Sequence, residues 1–336
     1  MNDNKKVVVF GATGNIGAYA ALQLKDLGYD VYAVGKRKSD NGFFESHGIS
    51  YLSVDITDVK SFEVLPSGDV YAAVHFAGEL PSRYEYNPSA LIQSITIGTL
   101  NVLEYLRKNN GTKIIFPQTP FDLYYLHNTD QLIPADGTRS FPPTGDHSVY
   151  TIAKNAAVDL IEHYYHQFGI KRFILRFFTI YQYHPNAYHF ADMKHKKMPY
   201  RILMDKAMRS EPIEIWGDPL RTKEIVYVKD FARLVGKCTD ADIDGGIYNV
   251  GDISGVTLED QIRGIVEVFS PKDNPSAITY DPSRPDALKA KFDITKTQQE
   301  LDFTPEFSYL EAMEDFYNEM KAEPFEKLWK RKEDYE

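Results

Sequence analysis

Eight residues near the start of the chain limit its fold more than any other stretch. Phe10-Gly11-Ala12-Thr13-Gly14-Asn15-Ile16-Gly17 directly follows the apolar run Val7-Val8-Val9 and opens a helical pattern from Ile16 to Leu27, closed by Gly28. Glycines at the first, fourth and seventh places allow a tight turn, close approach of backbone to a pyrophosphate, and packing of the helix on the strand. The helix start then offers unpaired N–H groups and the positive end of its dipole to phosphate. A glycine triplet alone is a weak signal, but a strand before it and a helix after it supply the confirming context. Gly11, Thr13, Gly14, Asn15, Ile16 and Gly17 are therefore expected to hold a dinucleotide. The competing reading is a glycine-rich strand–helix turn with no ligand.

The alternation continues. Val31–Val34, Tyr51–Val54, Val70–Phe76, Lys113–Phe116 and Phe173–Arg176 read as strands, with Ser89–Lys108 and Val149–Phe168 as long helices. Runs that are apolar throughout belong to strands buried on both faces, and intervening helices make the sheet parallel. The expected fold class is α/β: a Rossmann-type, doubly wound parallel sheet with a smaller mixed α/β C-terminal substrate domain. From Tyr181 to Tyr200 the pattern loosens into an expected long loop, while Ile225–Val228 and Tyr248–Val250 are expected to return to the main sheet. The division is thus a dinucleotide-binding domain over 1–178, rejoined by 225–250, and a substrate-binding domain from 179–224 and 251–325. A charged, solvated tail over 326–336 completes it.

Composition removes several functions. Of 336 residues, 38 are Lys or Arg and 48 Asp or Glu, a net charge of −10. That disfavours nucleic acid or an anionic membrane as partner. No apolar run approaches the roughly 18–20 residues that span a bilayer. The single cysteine, Cys238, excludes an intrachain disulfide framework and fits a reducing compartment. The N-terminus enters the first strand without a signal-peptide pattern, so a cytoplasmic enzyme is expected. His184, His189, His195 and Asp192 have spacings that fit no metal-ligand set, and no metal is expected. Ser67, Ser82 and Ser94 lack a nucleophile-elbow context, and His75 in its apolar strand reads as a hydrogen-bonded core residue.

Two further features carry chemistry. The second strand ends Val34-Gly35-Lys36-Arg37-Lys38, where an NAD-specific site usually places a carboxylate for the adenosine ribose. Lys36 and Arg37 could instead bind a 2′-phosphate, so NADP(H) is expected in preference to NAD(H). The pattern Tyr-x-x-x-Lys occurs three times, as Tyr32/Lys36, Tyr150/Lys154 and Tyr317/Lys321. Only Tyr150/Lys154 opens a helix just after the fifth strand, where it can face a cofactor. The two share a helix face. An ammonium favours ionisation of a neighbouring phenol, so Tyr150 could exchange a proton with a substrate oxygen while a hydride moves.

Taken together these residues resemble the extended short-chain dehydrogenase/reductases, the NAD(P)-dependent nucleotide-sugar epimerase and dehydratase family. The likeness covers essentially the whole chain. It includes Val54-Asp55-Ile56-Thr57-Asp58, Val74-His75-Phe76-Ala77-Gly78, Gly98-Thr99-Leu100-Asn101, Leu175-Arg176-Phe177-Phe178-Thr179, Trp216-Gly217-Asp218, Tyr248-Asn249-Val250-Gly251 and Arg284-Pro285-Asp286. The resemblance implies that Thr119 is the catalytic hydroxyl, that Asp55 and Ile56 hold the adenine, and that Ala77 and Gly78 line the cofactor channel. It also implies that Lys154 holds the nicotinamide ribose and that Thr179, Arg221, Lys223 and Arg284 face a nucleotide-sugar substrate. A homodimer through Ser89–Lys108 and Val149–Phe168 follows from the same likeness.

Departures from the family pattern are Gln118-Thr119-Pro120-Phe121 after the fifth strand, Tyr181-Gln182-Tyr183-His184, Thr179, Ile95 and Lys223-Glu224. The acidic pair of a dehydratase is missing, with Asp122 the only nearby acid. The expected activity is therefore a nucleotide-sugar epimerase or keto-sugar reductase, with dehydration less well supported. The alternative class is a non-catalytic NADP(H)-binding sensor or scaffold.

Overall fold

The computed structural model describes residues 5–81, 86–145, 147–191, 194–251, 255–286 and 288–331. Seven strands form one parallel sheet: β1 (Lys6–Phe10), β2 (Asp30–Gly35), β3 (Ser50–Ser53), β4 (Val70–His75), β5 (Lys113–Gln118), β6 (Lys171–Arg176) and β7 (Gly245–Asn249). Their spatial order is β7-β6-β5-β4-β1-β2-β3. Winding reverses between β1 and β4, where Phe10 lies in register with His75. At such a switch point the loops after the two strands part and leave a crevice for a ligand.

Alternate residues of β1 enter two different cores. Val7 and Val9 pack on one face with Ala18, Leu24, Phe231 and Leu234, while Val8 and Phe10 pack on the other with Val102, Leu103, Ala157 and Ile161. Helices α1 (Asn15–Asp26) and α4 (Val228–Asp240) supply the first layer. Helices α2 (Gly98–Lys108) and α3 (Ser148–Phe168) supply the second. Burial on both faces is why these strands are apolar throughout.

Four expectations are corrected. Gly245–Asn249 does join the main sheet, but Ile225–Tyr227 pairs with Thr179–Tyr181 in a separate two-stranded ribbon. Only three extended residues precede Val228, which already opens α4. The expected loop after Tyr181 contains an antiparallel pair, Tyr188–Ala191 with Lys194–Lys197, in which Tyr188 stacks on His195. The long helix expected from Ser89 is interrupted: Pro88–Leu91 leads into a π-helical segment, Ile92–Ile97, before α2. Finally, the tail does not start as a solvated segment. Glu326–Trp329 forms a short helix in which Leu328 and Trp329 are each 1% exposed. Phe325, Leu328 and Trp329 share one face of that turn and outweigh the charges around them.

The remaining elements include α5 (Leu258–Phe269) and α6 (Tyr309–Ala322), followed by α7 (Glu326–Trp329). Among the described residues no helix is long and apolar enough to cross a membrane. Ser82 and Asp192 lie outside the described residues.

Candidate active site

The glycine loop forms a cradle at the switch point. Gly11 has φ +81°, and a Cβ there would lie 2.6 Å from the Ala77 backbone nitrogen. Its amide donates to the Val34 carbonyl at 2.8 Å, so the loop leans across β1 toward β2. A Cβ at Gly17 would meet the Gly11 carbonyl oxygen at 2.2 Å, and one at Gly14 would meet that oxygen at 3.2 Å. Gly11 and Gly17 thus require glycine by contact and Gly14 is closely fitted, and Gly14 precedes α1 with no side-chain cap and no acid in the helix's first turn. That leaves the N–H groups and dipole of α1 for an anion, which fits a dinucleotide pyrophosphate.

The loop after β4 brings Ala77 and Gly78 beside this cradle, with Gly78 against Ile95 of the π segment. Ile56 is buried, its carbonyl accepts from Asn101 Nδ2 at 2.8 Å, and its side chain fills the space that a Cβ at Gly98 would need. His75 is fully buried, with Nε2 3.0 Å from Thr99 Oγ1. Burial, and then Lys154, push it down to about 3, so it is neutral.

Beyond the cradle, the end of β5 meets the first turn of α3. Lys154 Nζ donates to the Pro117 carbonyl at 2.8 Å and lies 4.4 Å from the Phe116 ring centre and 5.7 Å from that of Tyr150. Tyr150, Lys154 and Thr119 are therefore gathered at one strand end. Thr119 is 4% exposed; its Oγ1 accepts from the Phe121 amide at 3.3 Å, which leaves the hydroxyl proton available to donate. Burial raises the Tyr150 phenol above its ordinary value, and no opposing effect of Lys154 offsets it. Burial likewise lowers Lys154, to about 7. The expected acidification of Tyr150 is thus not a property of this pair by itself: at this spacing and depth, desolvation is the larger effect.

A polar network that the sequence reading missed lies under Thr119. Its amide donates to Gln118 Oε1 at 2.9 Å, and Gln118 Nε2 donates to Asn155 Oδ1 at 2.9 Å. Next to it Arg176 Nη2 donates to Asp122 Oδ2 at 2.7 Å and Nη1 to Asn249 Oδ1 at 3.0 Å, all buried. Burial raises the Asp122 carboxyl while Arg176 opposes the shift. Asp122, the one nearby acid, is therefore committed to a buried ion pair.

The residues expected at the substrate fall into a second group. Arg221 Nη1 donates to Asp286 Oδ2 at 2.9 Å and Nη2 to Asn128 Oδ1 at 3.3 Å. Arg284 lies 5.0 Å from the centre of the exposed Trp216 ring and 3.3 Å from Asp281. Thr179 lies half-buried opposite Ile225 in the small ribbon. The side chain of Lys223 lies outside what the structure describes.

At the opposite end, Lys36 Nζ is 3.0 Å from Asp55 Oδ2, whose other oxygen accepts from Thr57. Burial alone would raise Asp55, but the Thr57 hydrogen bonds and Lys36 outweigh it and hold it low. Arg37 is exposed but Nη1 donates to the Leu328 carbonyl at 2.6 Å. A Cβ at Gly35 would lie 2.8 Å from the Thr13 side chain, which crowds any side chain at that position.

Comparison with known proteins agrees with this geometry. Residues 7–251 match the NAD dependent epimerase/dehydratase family. The chain belongs to that family. Among its relatives, a putative UDP-glucose 4-epimerase of Methanocaldococcus jannaschii is 24% identical over 316 residues, covering 94% of this chain and 98% of the relative. UDP-glucuronic acid decarboxylase 5 of Arabidopsis thaliana is 25% identical over 319 residues, covering 92% and 87%. The solved structure of UDP-glucose 4-epimerase from Thermotoga maritima with UDP-glucose has the same fold, with a TM-score of 0.75 at 22% identity, covering 95% of this chain and 99% of that one.

As a member of this family the chain is an enzyme that works with a nicotinamide dinucleotide, and the glycine cradle fits one. The other two Tyr-x-x-x-Lys pairs lie elsewhere: Tyr32 is in β2, and Lys321 packs on the Tyr317 ring in α6.

The depressed Lys154 gives a signed prediction. An ammonium lowered from 10.5 to about 7 on folding carries its full burial cost below pH 7 and none above about pH 10.5. Lys154→Met should therefore gain most in melting temperature, relative to the parent chain, at pH 6. That gain should shrink steadily between pH 7 and pH 10. A difference in melting temperature that does not change with pH would contradict it.

Proposed function

We propose that the enzyme inverts a hydroxyl-bearing carbon of a nucleoside-diphosphate sugar, with Tyr150 as the acid and base. The observation that carries this reading is the convergence of Tyr150, Lys154 and Thr119 at the end of β5, beside a cradle shaped by Gly11, Gly14 and Gly17. A nicotinamide dinucleotide bound there supplies reversible hydride acceptance, which allows a carbinol to pass through a ketone and be rebuilt. Tyr150 takes the hydroxyl proton as the carbonyl forms and returns it afterwards. Lys154, tied to the Pro117 carbonyl, presents its charge to the phenol and to the nicotinamide ribose. Thr119 donates a hydrogen bond to the same sugar oxygen. Burial by itself keeps Tyr150 protonated, so the proton-accepting half-step would draw on the positive charge that an oxidised nicotinamide brings beside it.

Arg221, Arg284 and Lys223 would hold the diphosphate, for which arginine forks are well suited. The 4-epimerase relatives support inversion over elimination, as does the commitment of Asp122 to Arg176, since loss of water needs a free acid and base. Two further proposals concern the dinucleotide and the domains. NADP(H) is preferred, because Thr13 crowds any carboxylate at position 35 and Arg37 uses only one of its five N–H donors on Leu328. Residues 1–178 with α4 and β7 bind it, while 179–227 and 251–325 bind the sugar nucleotide. A cytoplasmic location is in keeping with the single, buried Cys238.

A keto-sugar reductase would use the same residues for half of the cycle. Incubation with NADPH and a keto-sugar nucleotide separates the two: product without loss of NADPH absorbance supports epimerisation, and loss in step with product supports reduction. Tyr150→Phe should lower turnover by a factor of about 10² to 10⁴ while NADPH still binds, and more tightly than NADH. Turnover within threefold of the parent would overturn the role of Tyr150. Retained binding with no turnover of any sugar nucleotide by the parent would favour a sensor.

We also propose a homodimer through α3 and the π segment that leads into α2, where Ile152 and Ile97 stand exposed. Light scattering should give about twice the 38.4 kDa chain mass; the mass of one chain would contradict it.

A further inference from the structure

Three consecutive residues at the C-terminal end reach three points on the rim of the dinucleotide cradle. The Lys327 carbonyl accepts from Asn41 Nδ2 at 2.8 Å, and the Leu328 carbonyl accepts from Arg37 Nη1 at 2.6 Å. Trp329 Nε1 donates to the Thr13 carbonyl at 3.1 Å. Thr13 belongs to the glycine loop, and Arg37 and Asn41 lie in the turn after β2. All three contacts span more than 280 residues of sequence.

A helix of one turn such as α7 does not persist by itself. Here it is held by the buried Trp329 ring, which stacks on Phe325 at 4.2 Å and lies 4.7 Å from His184 and 6.1 Å from Tyr19 of α1. Tyr19 is tied in turn to Glu319 of α6. The indole thus joins the glycine loop to the helix behind it and to the segment that leaves β6 for the substrate region. The Thr13 side chain covers Gly35, so a shift of the Thr13 backbone also changes the surface next to Arg37.

We propose that residues 325–329 form a positioning clasp on the dinucleotide site, with Trp329 fixing the Thr13 backbone and Leu328 orienting Arg37. The clasp sets how long the dinucleotide stays bound. It rests on the dinucleotide reading given above and adds a control exerted from the far end of the chain. An enzyme that restores its dinucleotide within each turnover gains from slow release, so such a clasp suits epimerisation.

Trp329→Phe keeps an aromatic ring in the stack while deleting the indole N–H and part of the buried ring. The NADPH-loaded protein is mixed with excess NADP+ in a stopped-flow instrument, and release is followed by the fluorescence of NADPH. Loss of the hydrogen bond to the loop should speed release about tenfold, beyond the fall of a few degrees in melting temperature that truncating a buried ring brings. Asn41→Gly, which deletes the exposed contact and suits the positive φ of 57° at that position, should speed release about threefold at the parental melting temperature. Parental release rates in both variants overturn the clasp alone. Faster release in Trp329→Phe alone, in step with its loss of melting temperature, marks Trp329 as packing and also overturns it. A parent chain that binds neither NADPH nor NADH overturns the dinucleotide reading and the clasp together.

Discussion

Two buried hydrogen bonds join the two halves of the proposed catalytic arrangement. Lys154 Nζ to the Pro117 carbonyl, 2.8 Å long, fastens the first turns of α3 to the end of β5. With the bond from Gln118 Nε2 to Asn155 Oδ1, one helical position further on, it sets the register between the helix carrying Tyr150 and the strand end that Thr119 follows. Pro117 supplies no amide donor of its own, but its carbonyl is free to accept where the strand runs out. The bond takes an ammonium out of water, and the displacement of Lys154 to about 7 records that cost. Such strain between stability and position is common where a group must act rather than pack.

The neighbouring polar network has a further purpose. Gln118, Asn155, Asp122, Arg176 and Asn249 are all buried and linked, and they occupy the layer directly beneath Thr119. Sites of this kind are precise because the side chains behind them are themselves fixed. The departure from the family pattern at Gln118-Thr119-Pro120 thus comes with an anchor: the Thr119 amide is tied by the preceding side chain.

The main sheet was readable because burial on both faces demands runs such as Val7–Phe10 and Val70–His75, and the glycine loop because contacts at Gly11 and Gly17 exclude any side chain. Tyr150 and Lys154 could be chosen among three equal spacings only by their place after β5. What was hidden depended on distant partners. Ile225–Tyr227 looks like any buried strand, and its pairing with Thr179–Tyr181 is decided by tertiary packing. Arg37 reads as a free cation until Leu328 meets it across 291 positions. The 325, 328, 329 spacing carried the signal for a buried helix face, but the charges around it concealed that. The direction of the Tyr150 shift was misjudged for a related reason: sequence shows an ammonium nearby and says nothing of how much water both groups have lost.

The central claim is that the Tyr150 hydroxyl lies between a sugar oxygen and a nicotinamide ring. A crystal structure of the protein with bound dinucleotide and a UDP-sugar tests it most directly. The account predicts the phenolic oxygen within about 2.6–3.2 Å of the reacting sugar oxygen, with Thr119 Oγ1 on that same atom and the pyrophosphate against the start of α1. Density placing the sugar ring beyond reach of Tyr150, or the dinucleotide away from the glycine loop, would contradict it.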